Sequence, residues 1–117
     1  MGQLTTHVLD TTAGLPAAGV RIEVHGLTAG APELLAATAT GRDGRCAGPL
    51  IGGDSLRAGR YSLTFHVAEY FRTRGILLPE PAFIEEAVIR IGIADPGQHY
   101  HVPLLVSPWS YSVYRGG

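Results

Sequence analysis

The chain of 117 residues has no lysine, a single cysteine, and charged side chains at only 16% of its positions. Nine arginines oppose ten acidic residues for a formal charge of −1, so there is no basic stripe for a nucleic acid to follow. Cys46 stands alone and cannot close an internal disulfide. No apolar run approaches the roughly 18 residues that span a bilayer. The opening, MGQLTTHVLD, has neither a basic n-region nor an apolar h-region. No secretion signal is expected from it, and a cytoplasmic protein is. Nucleophile motifs are missing too: there is no G-x-S-x-G, no phosphate loop and no cysteine–histidine signature. An enzyme built from these residues would use water activated by histidine.

What is present is a globular composition, 45% hydrophobic, in a length that fits one domain over 1–117. So few charges on so small a chain point to an outer surface partly covered by other subunits. Sixteen glycines and eight prolines punctuate short alternating or β-branched runs, the pattern of an all-β domain. The alternation predicts strands over 3–10, 20–27, 33–40, 61–67, 87–93, 100–106 and 111–114, with a short one near Cys46. Gly14, Pro16 and Gly19 mark a turn after the first strand, and Asp43-Gly44 marks a tight turn. The helix formers of 68–75, closed by Gly75, predict about two helical turns. Eight short strands and one small helix make a two-sheet sandwich.

Two strands carry the informative side chains. In the run 98–106, Tyr100, Val102, Leu104 and Val106 share one face, and His99, His101, Pro103 and Leu105 share the other. Both faces are apolar near the middle, so the second is expected to pack against another subunit with His101 at the interface. In the first strand His7 lies on the face of Thr5 and Leu9, opposite Val8. A lone strand histidine is more often structural than catalytic, but two on outward faces from opposite ends of the chain favour a functional reading. His99 and His101, spaced i, i+2, form a zinc set with His7 only weakly, because no cysteine pair or carboxylate accompanies them. Arg45, just after the Asp43-Gly44 turn, is either a solvated charge or a fork that clamps an anionic or imide-like group. His25 and His66 have no evident partner, and Cys46 reads as packing.

Four segments, "LTTHVLD", "GRDGR", "YSLTFHVAEYF" and "HYHVPLLVSPWSYSVYRG", together resemble the 5-hydroxyisourate hydrolases, the transthyretin-related enzymes of urate breakdown. The resemblance covers nearly the whole chain. The histidine before V-L-D, the H-V-P-L-L run and the Y-R-G ending separate these hydrolases from transthyretin itself. It implies an all-β, transthyretin-like sandwich of two four-stranded sheets with one short helix. It also implies a homotetramer with sites in the channel between dimers. The family's catalytic residues fall on His7, Arg45 and His101, and its C-terminal tetrapeptide on Tyr114, Arg115, Gly116 and Gly117, the last replacing the usual serine. The implied reaction is hydrolysis of the cyclic amide of 5-hydroxyisourate without a cofactor or metal, with either histidine as the base. The alternative is a carrier that binds a small aromatic ligand in the same channel; lacking both the first histidine and the Y-R-G ending, such carriers match less well.

Overall fold

A computed structural model describes residues 2–28 and 30–116. Among the described residues, nine strands form two sheets: β1 (Gln3–Asp10), β2 (Leu15–Pro16), β3 (Arg21–Gly26), β4 (Glu33–Ala39), β5 (Ile51–Gly52), β6 (Gly59–Phe65), β7 (Ala87–Ile93), β8 (Tyr100–Val106) and β9 (Tyr111–Val113). One sheet runs β2-β1-β8-β9 with β5 also paired to β1, and the other runs β4-β3-β6-β7. The expected two-sheet sandwich is therefore present, and β5 adds a fifth, two-residue strand to one layer.

Alternation makes the sandwich; along β1 and β8 it is broken only at Pro103, which is buried on the outer parity. Along β1, Leu4, Thr6, Val8 and Asp10 are buried while Thr5, His7 and Leu9 are half-buried. Along β8, Tyr100, Val102, Leu104 and Val106 face inward, and His101 and Leu105 stay half-buried on the outer side. These inward residues meet Ile22, Val24, Leu63 and Phe65 of the second sheet in one core cluster. Burying each such aliphatic side chain contributes on the order of 1.5–3 kcal/mol. Thr6 can sit among them because its hydroxyl donates to the Val102 carbonyl at 2.6 Å.

A helix, α1 (Val67–Thr73), follows β6 and buries Val67, Ala68, Tyr70 and Phe71. It starts one residue before the expected position, and Gly75, at φ 85°, follows its last turn as expected. Tyr70 reaches the far end of β1, where its hydroxyl donates to Asp10 at 2.8 Å. The same carboxylate accepts the backbone N–H groups of Thr12 and Ala13, so a buried acid is fully paired and closes the turn after β1.

The segment near Cys46 departs from expectation. No strand forms there; Arg45 makes an isolated antiparallel bridge to His7, and the next pairing with β1 is β5 at Gln3 and Leu4. The edge of β1 opposite β8 is thus met piecewise by three short stretches. Cys46 packs against the core, and burial pushes its thiol pKa up.

Candidate active site

β1 and β8 run parallel, with Thr5 opposite His101 and His7 opposite Pro103. Equal parity on paired strands puts Thr5, His7, His99 and His101 on one outer face. There His7 Nδ1 meets His101 Nε2 at 2.7 Å. The two rings are within 24° of parallel with centroids 4.9 Å apart. That spacing is close to the nitrogen–nitrogen distance plus two ring radii, so the contact is edge to edge, a hydrogen bond and not a stack of faces. His101 Nδ1 shares a second hydrogen bond with the Thr5 hydroxyl at 2.8 Å, and that hydroxyl lies 3.4 Å from His99 Nε2. Both nitrogens of His101 are therefore engaged. His7 Nε2 has no hydrogen-bond partner among the described residues.

Arg45 arrives from the other side of β1. The chain leaves β4 and turns at Gly41–Gly44, where Gly44 N–H donates to the Gly41 carbonyl at 2.9 Å. Gly44 has φ 78°, and a Cβ there would fall 2.4 Å from the Val8 carbonyl oxygen. Only glycine fits this close approach. The expected Asp43-Gly44 turn is thus present, but it carries the chain from one sheet to the other and does not join a hairpin. The turn sets Gly44 O to accept from Val8 N–H at 2.9 Å and places Arg45 directly across from His7. Among the described residues, the Arg45 guanidinium makes no hydrogen bond or ion pair.

The electrostatics follow from this packing. Burial lowers the His7 pKa below its ordinary 6.5, and the Arg45 cation lowers it further. His101 is lowered first by burial, then by His7, Arg45 and His99. Both shifts favour the neutral imidazole, the form that can accept a proton.

The C-terminal residues divide. Gly116 N–H donates to the His101 carbonyl at 2.7 Å, and the antiparallel register sets Gly116 against the His101 ring. Arg115 falls on the opposite parity. Its guanidinium donates to Gln98 Oε1 at 3.0 Å and to the His99 carbonyl at 3.1 Å, and lies 4.1 Å from the centroid of Tyr100, a core-face residue. The structure thus brings together His7, Arg45, His101 and Gly116, engages Arg115 elsewhere, and leaves Tyr114 exposed beside a cleft lined by Ile91, Val102 and Val113. Gly117 lies outside the described residues.

Two features escaped the sequence reading. Thr5 shares the outward face of His7 at i, i+2, and that spacing was the available signal. His66, read as partnerless, meets Glu23 at 2.9 Å and Glu86 at 3.5 Å on the second sheet. Those partners lie far along the chain and leave no local signature.

A family model described as HIUase/Transthyretin family matches residues 4–116. A 5-hydroxyisourate hydrolase of Pseudomonas aeruginosa is 52% identical over 99% of this chain and 92% of its own length. The mouse protein of the same name is 40% identical over 97% of this chain and 93% of its own. Among solved structures, (S)-allantoin synthase superposes with a TM-score of 0.93 at 44% identity; the match covers 99% of this chain and only 44% of that one. The Klebsiella pneumoniae 5-hydroxyisourate hydrolase gives 0.82 at 33% identity with both chains fully covered. Sea bream transthyretin in complex with thyroxine gives 0.87 at 29% identity over 97% of this chain and 94% of its own.

Proposed function

The chain belongs to the HIUase/Transthyretin family, and on that premise we propose that it hydrolyses 5-hydroxyisourate, the reaction for which its bacterial and mouse relatives are named. The product is 2-oxo-4-hydroxy-4-carboxy-5-ureidoimidazoline, a step of purine breakdown. The observation that carries this reading is the 2.7 Å contact between the His7 and His101 imidazoles, with Arg45, unpaired among the described residues, bridged across from His7.

Each group has a role that its position supports. His7 Nε2 takes a proton from water, whose oxygen adds to the ring carbonyl carbon. Arg45 donates to the oxygen on which negative charge develops, and its fork suits the urea-like edge of the substrate. The C–N bond then breaks, its electron pair goes to nitrogen, and that nitrogen takes back the proton from His7. His101 holds His7 in register and shares the charge that His7 acquires. Gly116 forms the wall of the site beside His101, and Tyr114 and Gly117 are assigned to substrate contact on the family pattern alone. Arg115, first read as a substrate contact, instead anchors this wall to the start of β8 in the present proposal.

The carrier reading is not favoured by fold alone, since transthyretin has the same fold. What separates the two is the imidazole pair, which a carrier has no chemical need to keep neutral and poised. The homotetramer is part of the proposal. The outer face around the histidines carries the half-buried Leu9 and Leu105, an apolar rim suited to cover by a second sheet. No described helix is long and apolar enough to cross a membrane, and we place the reaction in the cytoplasm. The test is the decay of freshly generated 5-hydroxyisourate with and without the protein, run beside light scattering for the mass of the assembly. Faster decay by a tetramer is expected; decay at the spontaneous rate would overturn the hydrolase reading.

A further inference from the structure

The hydroxyl of Thr5 stands behind the imidazole pair, and the chemistry above gives it no task. It faces His101 Nδ1 at 2.8 Å and His99 Nε2 at 3.4 Å. A neutral imidazole has one N–H and one lone pair, and a hydroxyl has one proton. Because a hydroxyl oxygen can also accept twice, the Thr5–His99 bond can point either way, but the run His7–His101–Thr5 can be hydrogen-bonded in only two self-consistent directions. In the first, His7 Nδ1–H donates to His101 Nε2, His101 Nδ1–H donates to Thr5 Oγ1, and the Thr5 hydroxyl is free to donate to His99 Nε2. His7 Nε2 is then left with a lone pair. In the second, every bond is reversed and His7 Nε2 carries a hydrogen.

Only the first direction makes His7 a base. Arg45 favours it as well, because β1 lies between Arg45 and β8, and a cation on that side of His7 prefers a lone pair to an N–H. We propose that Thr5 is a positioning residue that sets this direction, holding His101 in its Nδ1–H tautomer by accepting that proton and turning its own towards His99. The proposal rests on the hydrolase reading above. The groups that face His101 are Thr5 and His7 from β1, Arg45 from the turn after β4, His99 at the start of its own strand, and the backbone of Gly116; none is a carboxylate. Protons balance, because the one taken from water at His7 Nε2 returns to the leaving nitrogen.

Thr5→Val removes the hydroxyl and keeps the β-branched shape of a strand residue. Thr5→Ser restores the hydroxyl. Nitrogen-15 NMR of histidine-labelled protein at pH 7.5 reads the tautomer without substrate. The wild type and Thr5→Ser should show His101 protonated at Nδ1, and Thr5→Val should show a mixture or the Nε2–H form. Losing the lock without enforcing the wrong form should lower kcat by about tenfold, well short of the ~10⁴-fold seen where a wrong tautomer is imposed on a catalytic histidine. KM should change little, and Thr5→Ser should recover the rate. A wild-type His101 protonated at Nε2, an unchanged tautomer in Thr5→Val, or a serine variant as slow as the valine one would overturn the proposal. If the wild type does not hydrolyse 5-hydroxyisourate, that reading fails while the NMR result still decides what Thr5 does.

Discussion

Gly116 lies so close to His101 that a Cβ on it would come within 2.9 Å of the imidazole Cδ2. The end of the chain is thus in contact with one of the two histidines, through an antiparallel bridge from Gly116 N–H to the His101 carbonyl. Absence of a side chain at position 116 is what lets the ring keep its 2.7 Å bond to His7.

Gly116→Ala should therefore act on the ring and not on the fold. The added methyl displaces the imidazole by a few tenths of an ångström, and a misplacement of that order costs about tenfold in kcat/KM. Thermal unfolding should shift little, because Gly116 is outside the core. An alanine variant with the wild-type rate would show that the tail does not hold His101.

In the proposed mechanism Arg45 adds to burial in placing the working pH. Its field lowers the pKa of both imidazoles, so Arg45→Ala should raise both. Activity that needs a neutral imidazole appears as pH rises through these values, so the acid limb of the pH–rate profile should move to higher pH in the variant. At pH 8 the residual loss, about 10²-fold, would reflect the missing oxyanion donor. A pH profile that keeps its acid limb in place would separate Arg45 from the histidines.

At the far end of β1 the Tyr70–Asp10 pair is a structural counterpart. Burial, followed by the hydrogen bond to Asp10, pushes the Tyr70 phenol up to about 12, so it remains a donor across the physiological range. Tyr70→Phe leaves one buried Asp10 oxygen unpaired and should cost about 1–3 kcal/mol in urea unfolding. The rate per folded molecule at 25 °C should be unchanged.

Alternation located the two strands that carry the histidines, and the family resemblance supplied the rest of the candidate site. The former placed β1 and β8 to the residue and put His7 and His101 on outward faces, because each strand is buried on one side and a slip of one residue would reverse every side chain. Arg115 shares parity with Val113, which agrees with its contacts to Gln98, the His99 carbonyl and the Tyr100 ring. Three features were beyond the reach of alternation. β2 and β5 are two residues long and exist only because β1 offers them an edge. The Arg45 bridge depends on a turn that crosses between sheets, which leaves no periodic trace. The partners of His66 come from separate strands and loops, and only tertiary packing brings them together.

The central claim is that His7 and His101 act as one unit in hydrolysing 5-hydroxyisourate. It is tested most directly by generating the substrate in situ from urate with urate oxidase and following its absorbance decay with the wild type, His7→Ala, His101→Ala and the double variant. The account predicts that the wild type accelerates the decay, that either single variant loses most of the acceleration, and that the double variant is scarcely worse than the singles, as for residues that work together. A wild type no faster than buffer, or single losses that multiply in the double variant, would contradict it.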